Sequence, residues 1–365
     1  MRRRDRTMTM KKMLLGTSAL LGAGMLATAS PALAQPGPQV TPVGKLNVSV
    51  GGFARFLWIL GDTKERLNAQ LSSSDFRNDM EVHVIARSKD ESTGIEYGAT
   101  IEFEADTSRN DNTDETWIFL RGAFGELRFG DEDGASDLMK IGAFTLAAGT
   151  GGLDGTIDYP RTVAGANTAD ATKIVYFTPR LAGFQLGVSY TPAADSVANG
   201  GRGDTLALTN VDGLKDTIEA GLNYVGTFGD VGVRAGVIGH IGDNTDGDND
   251  EDFWKLYGGA VLSFAGFSVG GGYGKQDFFG REHTWFNIGA GAELGPAKLS
   301  VNFGKVLDDD LDQEERALIF SATVGILPGV ALDADLQFFD MDRGPTPVTD
   351  EDDGVLGLVR LNVAF

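Results

Sequence analysis

From about residue 44 to the C-terminus, apolar and polar residues alternate one by one through segment after segment. Successive side chains of an extended strand point to opposite faces, so a two-residue period marks strands with one apolar and one polar face. In the segment 94–106, Ile95, Tyr97, Ala99, Ile101, Phe103 and Ala105 alternate with Glu96, Gly98, Thr100, Glu102, Glu104 and Asp106. In 75–88, Phe76, Met80, Val82, Val84 and Ala86 oppose Arg77, Asp79, Glu81, His83 and Arg87. A soluble sandwich also alternates, but here the polar face carries both signs of charge, as a water-filled interior would.

The same pattern recurs at 44–60, 115–122, 125–131, 172–180, 183–192, 215–228, 230–242, 253–265, 266–276, 283–294, 296–307, 315–327, 329–342 and 353–365, which makes 16 strands in all. An even number of tilted strands, several of about 9–11 residues or more, predicts an all-β fold: a 16-stranded antiparallel transmembrane β-barrel. The connections sort into two kinds. Short ones read as turns: Ala123-Phe124-Gly125, Leu181-Ala182-Gly183, Phe228-Gly229-Asp230, Ala265-Gly266, Gly295-Pro296 and Pro328-Gly329. Long polar ones occupy 61–74, 131–171, 193–214, 243–252, 277–282, 308–314 and 343–352. Short turns on one side and long loops on the other are the asymmetry of outer-membrane barrels.

The first 34 residues are set apart from this domain. Arg2, Arg3, Arg4, Arg6, Lys11 and Lys12 precede an apolar run from Met13 to about Ala29, and Ala32-Leu33-Ala34 supplies a small-residue cleavage pattern. This reads as a cleaved signal peptide, leaving 35–365 as a single barrel domain. No later segment approaches 18 consecutive apolar residues, the length of a transmembrane helix. The aromatic residues Trp58, Trp117, Tyr190, Tyr224, Phe228, Trp254, Trp285 and Phe365 lie near strand ends and are expected at the membrane–water boundary.

Composition closes off several functions. The chain has no Cys, which removes disulfides, thiol catalysis and cysteine zinc sites. A formal net charge of −21 opposes nucleic-acid binding, because phosphate contacts need basic patches. Only three histidines are present, His83, His240 and His283, and none sits in a catalytic motif, so an enzyme is not expected. No cofactor is expected either. The acidic run 243–252 (DNTDGDNDED) offers Asp246, Asp248 and Asp250 as a possible calcium loop, but without the terminal Glu of the usual spacing; a solvated external loop is the competing reading.

Two stretches resemble Gram-negative general diffusion porins of the alphaproteobacterial type. One is Phe124-Gly125-Glu126-Leu127-Arg128-Phe129-Gly130-Asp131 followed by Glu132-Asp133-Gly134-Ala135, similar to the strand that leads into the family's third loop. The other is the hairpin from Lys173 to Pro192 (KIVYFTPRLAGFQLGVSYTP). The last strand, with Val355, Gly357, Val359, Leu361, Val363 and Phe365 on one face and Arg360 and Asn362 on the other, resembles the terminal strand of outer-membrane barrels. There the final aromatic, here Phe365, is read by the barrel assembly machinery. One departure is Asp131, where the family usually has Arg.

The resemblance implies a homotrimer, a third loop folded into the lumen and an outer-membrane location among lipid and lipopolysaccharide. It implies a water-filled channel for passive diffusion of ions and small hydrophilic solutes. The connection 131–171, about 40 residues, is itself far longer than ordinary loops and is expected to be functional. Since a barrel of this size is too wide to fill with its own side chains, a folded-in loop would set the constriction. Its acidic candidates are Asp131, Glu132, Asp133, Asp137, Asp154 and Asp158; candidates for a basic wall are Arg55, Arg77, Arg87, Arg121, Arg128 and Arg360. If the two groups face each other, a transverse field crosses the pore; the excess of acid points to cation preference. A substrate-specific outer-membrane channel and an occluded structural or adhesive barrel are the alternative readings.

Overall fold

The computed structural model describes residues 45–63, 73–105, 113–154, 168–194, 214–244, 252–278, 280–308, 310, 313–342 and 351–365. Residues 1–34, read above as a cleaved signal peptide, lie outside the described residues. Sixteen antiparallel strands form one closed barrel in which each strand pairs with its sequence neighbours and β1 closes on β16. In chain order they are β1 (Asn47–Thr63), β2 (Ser74–Lys89), β3 (Glu96–Glu104), β4 (Thr116–Gly122), β5 (Gly125–Asp131), β6 (Thr172–Phe177), β7 (Phe184–Ala194) and β8 (Leu214–Phe228). The second half comprises β9 (Val231–Asn244), β10 (Phe253–Phe264), β11 (Phe267–Phe278), β12 (Glu282–Leu294), β13 (Ala297–Asp308), β14 (Gln313–Leu327), β15 (Val330–Asp342) and β16 (Glu351–Ala364). Closure leaves no open sheet edge, as the hydrocarbon interior of a membrane requires.

Each strand sorts its side chains as the alternation predicts. On β1, Val48, Val50, Phe56, Trp58 and Leu60 face outward and are exposed, whereas Arg55 and Leu57 face inward. Register carries this assignment around the wall. Phe76 lies opposite Trp58, Phe103 opposite Val82, Leu222 opposite Leu186 and Phe338 opposite Leu318, so a continuous apolar band covers the outside. Exposed outward aromatics mark both rims. Trp58, Tyr190 and Trp254 stand at the long-loop end, and Phe228 and Phe365 at the short-turn end; Tyr224 faces outward with Phe184 at a ring separation of 4.9 Å. Two expected belt residues are corrected: Trp117 and Trp285 face the lumen. Trp117 shares the inward face with Thr100 and stacks under the Arg128 guanidinium, 4.5 Å from its ring. Trp285 is buried beside Tyr257, their ring planes 5° apart.

Strand ends moved where backbone chemistry intervened. The expected strand 172–180 stops at Phe177 because Pro179, having no N–H, cannot extend the ladder. Conversely β7 runs through Pro192, which register places opposite Asp216; that residue has φ +47 and sits where the β8–β9 pairing slips between Lys215 and Ile218. The proline drops out of the ladder for one residue, between the pairs Thr191–Thr217 and Ala193–Lys215, beside the point where β8 bulges against β9. At the C-terminus, Phe365 N–H donates to the Gly52 carbonyl at 3.1 Å and Gly52 N–H donates back to Phe365 at 3.0 Å, clamping the final residue onto β1.

Candidate functional site

Of the connection between β5 and β6, residues 132–154 and 168–171 are described, and this described part stays inside the barrel. It enters the lumen as a four-residue helix α1 (Ala135–Leu138) and two short 3-10 turns, Ala143–Leu146 and Gly152–Asp154. It is held there by backbone N–H groups donated to inward-facing wall side chains, one strand after another. Ala135 N–H reaches Ser189 Oγ on β7 at 3.0 Å, and Ser136 N–H reaches Glu219 Oε2 on β8 at 3.0 Å. Ala143 N–H meets Asn287 Oδ1 on β12 at 2.8 Å, and Ala148 N–H meets Ser300 Oγ on β13 at 2.8 Å. Gly149 N–H meets Thr323 Oγ1 on β14 at 2.9 Å, and Thr150 N–H meets Asp335 Oδ2 on β15 at 2.9 Å. Arg360 of β16 donates to the Gly149 carbonyl at 3.0 Å. The segment that returns to β6 is tied as well: Thr168 Oγ1 donates to the other Glu219 oxygen at 2.5 Å.

Each anchor satisfies a loop amide that has neither helix nor sheet to pair with, which is the condition for burying irregular backbone at membrane depth. Apolar contacts complete the seat: Met139, Phe144 and Leu153 of the loop join one buried cluster with Tyr257, Trp285, Ile319 and Phe339 of the wall. Inward glycines let the loop come this close. A methyl group added at Gly259 would strike the Ile141 carbonyl, and one at Gly221 would strike the Met139 side chain, both of the loop.

The loop therefore covers the wall from β7 to β15, whose inward polar residues Ser189, Glu219, Asn287, Asn302, Asp335 and Gln337 are buried. The opposite wall, β1 to β5, keeps partial exposure. All six candidate arginines point inward, but each of four is already engaged. Arg55 pairs with Asp79 at 2.9 Å; Arg121 pairs with Glu126 at 2.9 Å and Glu96 at 3.5 Å. Arg128 pairs with Glu126 at 2.8 Å and with Glu132 of the loop. Arg360 pairs with Asp333 at 2.8 Å, with side chains 8% and 3% exposed. Arg77 and Arg87 are exposed toward the lumen, near the long-loop and short-turn ends of β2. The wall is thus a mosaic of interleaved charges rather than a purely basic face.

The acidic candidates separate. Asp131 is corrected: it faces away from the lumen, paired across the ladder with Thr116 and Thr172 and bonded by the Thr172 hydroxyl. Its position, three residues from inward Arg128, puts it on the other face of β5. Asp137 is bridged by Lys140 within the loop at 2.8 Å. Asp154 ends the second 3-10 turn, and Asp158 lies outside the described residues, as do Asp246, Asp248 and Asp250. Glu132 and Asp133 do reach the lumen root of the loop, where Glu115 and Asp170 join Asp133 with carboxylate oxygens within 4.8 Å of one another. Burial, then repulsion from Glu132, Glu102, Asp133 and Asp170, pushes the Glu115 carboxyl up to about 9. Burial pushes Glu132 up to about 7 against the pull of Arg128, and burial plus Asp137 and Asp170 pushes Asp133 up to about 7.

Residue reading had not singled out Glu115, Asp170, Glu219 or Asp335. A signal for the loop seat is glycine at alternate inward positions, Gly270, Gly272 and Gly274 on β11 and Gly289 and Gly291 on β12, with Gly270 directly opposite Gly289.

Comparison with known proteins agrees with this geometry. The model of a family described as Gram-negative porin matches residues 17–344. An uncharacterized protein of Rickettsia conorii is 24% identical, the match covering 72% of this chain and 78% of that protein. Among solved structures, an anion-selective porin from Comamonas acidovorans superposes with a TM-score of 0.63 at 16% identity, covering 88% of this chain and all of that one. The outer-membrane channel DcaP of Acinetobacter baumannii gives 0.62 at 12% identity over 88% of this chain and 97% of its own. A mutant porin of Rh. blastica gives 0.61 at 12% identity, over 87% of this chain and 100% of its own.

Proposed function

Because this chain belongs to the Gram-negative porin family and forms an outer-membrane channel for passive diffusion, we propose that it is a homotrimeric, cation-preferring pore for small hydrophilic solutes. The observation that carries the reading is the loop seated along β7–β15, which narrows the lumen to the passage beside β1–β5 without sealing the inward charges there from water. Along that wall Asp75, Asp79, Glu81, Glu96, Glu102, Glu104 and Glu126 stand against Arg55, Arg77, Arg87, Lys89, Arg121 and Arg128, and Glu132, Asp133 and Asp170 at the loop root add acid whose charge grows with pH. A surplus of lumen carboxylate favours cations.

Strand length supports the trimer. A transmembrane strand needs about 9–11 residues. Among the described residues, β4 and β5 have 7 and β6 has 6. Their outward upper edge carries Thr116, Asp131 and Thr172 rather than apolar side chains. That sector of the wall suits contact with a neighbouring protomer better than contact with lipid.

The test is the reversal potential of the reconstituted protein across a KCl gradient, together with chemical cross-linking in detergent. Cation preference and a ladder ending at three chains support the reading. Anion preference overturns the selectivity, and a ladder ending at one chain overturns the trimer. A substrate-specific channel is not favoured by any described feature: the aromatic pair Tyr257–Trp285 is buried beneath the loop, out of reach of a passing sugar.

A further inference from the structure

We propose that the open wall of the lumen carries a divalent transition-metal site built from His83, Glu81 and Glu102. On the paired strands β2 and β3, His83 lies directly opposite Glu102, and Glu81 precedes His83 by two residues on the same inward face. The His83 Nε2 atom is 2.8 Å from Glu81 Oε2 and 3.4 Å from Glu102 Oε2, and the three donor atoms lie within 4.8 Å of one another. Ligands held about 2.1 Å from a first-row ion sit about 3.0–3.4 Å apart on neighbouring vertices of a tetrahedron or octahedron. The His83–Glu102 separation has that value, His83–Glu81 at 2.8 Å falls about 0.2 Å short of it, and all three donors lie within 4.8 Å of one another. One nitrogen faces two carboxylate oxygens but can aim a single N–H at only one of them, so a shared cation satisfies the three donors better than a proton does.

The surroundings point the same way. The wall continues its acids on both sides, with Asp79 on β2 and Glu104 opposite Glu81 on β3. The nearby guanidinium, Arg55, is committed to Asp79 at 2.9 Å and lies 3.5 Å over the Phe53 ring. Phe53 in turn meets the His83 ring edge-on at 6.1 Å, fixing its plane. All three ligands stand on strands rather than loops, which keeps their spacing rigid. Their side chains are 28%, 16% and 20% exposed, so an ion in the channel water can reach them. The remaining coordination positions face the lumen and would hold water. An imidazole with two carboxylates suits zinc, nickel, cobalt or copper; calcium and magnesium, which take oxygen ligands, gain nothing from the nitrogen. An ion bound there places two positive charges on a wall otherwise rich in acid, and lowers the cation preference of the pore.

The experiment uses the refolded barrel, residues 35–365, with His283→Ala, which removes the water-accessible contact of His283 with Asp308 at 3.3 Å; the remaining histidine, His240 opposite Glu219, is buried. Zinc binding is measured by calorimetry at neutral pH, with calcium as the comparator, and the reversal potential is recorded with and without micromolar zinc. The proposal expects one zinc per chain, no comparable calcium heat, and a reversal potential shifted toward zero by zinc. Adding His83→Ala or, as a shape-preserving alternative should that variant misfold, Glu102→Gln should weaken zinc binding at least tenfold and abolish the shift. Zinc bound equally well by either folded variant, or not bound by the folded parent, overturns the site. The calorimetry does not depend on conduction, so failure of the site is distinct from failure of the channel reading.

Discussion

The loop anchors give a prediction with a magnitude. Ser189, Asn287 and Ser300 accept the N–H groups of Ala135, Ala143 and Ala148, and all six residues are buried. Changing the three acceptors together to alanine leaves the pore charge untouched and strands three amides away from water. A buried amide without a partner costs about 1–3 kcal/mol. Three of them weaken the docked loop by roughly 3–9 kcal/mol, or about a hundredfold to a millionfold in its population at ~1.4 kcal/mol per factor of ten. Each single variant should leave the loop seated, since five other amide anchors and the cluster around Phe144 and Leu153 remain. The triple variant should conduct in larger and noisier single-channel steps and admit larger polyethylene glycols. If the folded triple variant shows the parent's step size, noise and exclusion limit, the anchors do not hold the constriction.

Further outcomes follow from the same contacts. Raised carboxyls bind protons more tightly in the folded state, so their contribution to loop stability is full below the ordinary carboxylate range. It is lost as pH rises through about 7 for Glu132 and Asp133 and about 9 for Glu115. Over that window the mouth gains negative charge, and the cation preference read from reversal potentials should increase from pH 6 to pH 10 (roughly one unit either side of these values); a flat profile contradicts the assignment. Removing Arg360 alone strands the buried Asp333 charge and should cost about 3–5 kcal/mol, whereas Arg360→Met with Asp333→Leu should cost much less. Urea unfolding in lipid vesicles followed by tryptophan fluorescence distinguishes the two, and equal losses refute the pairing argument. Since the chain has no native Cys, a single cysteine at Arg87 should react quickly with a charged thiol reagent and one at Ser300 slowly. Equal rates would mean that the loop does not cover the β13 wall.

Strand positions were legible because a barrel in a membrane imposes a two-residue period on every wall strand, and the lipid face tolerates few exceptions. The inward phase of Arg55, Arg128 and Arg360 could be read from that period alone. What could not be read was which charge meets which. Glu126 reaches Arg121 and Arg128 because β4 and β5 pair in a register that brings Arg121 opposite Glu126. The loop seat was hidden for a related reason. Ser189, Asn287 and Ser300 look like any polar lumen residue, and their partners in the loop lie 54, 144 and 152 positions away. Asp131 misled because it begins an acidic run whose later members enter the lumen, while its own backbone still belongs to β5 and obeys the strand's alternation. Trp117 and Trp285 misled because nearness to a strand end says nothing about face; counting their phase against Phe119 and Asn287 would have placed both inside.

The most direct test of the central claim, a water-filled lumen narrowed by the loop between β5 and β6, is the single-channel current of the refolded barrel, residues 35–365, in a planar bilayer. The account predicts discrete, long-lived steps whose conductance grows linearly with KCl concentration. A folded, stably inserted barrel that passes no current would contradict it and would mean that the seated loop closes the lumen instead of narrowing it.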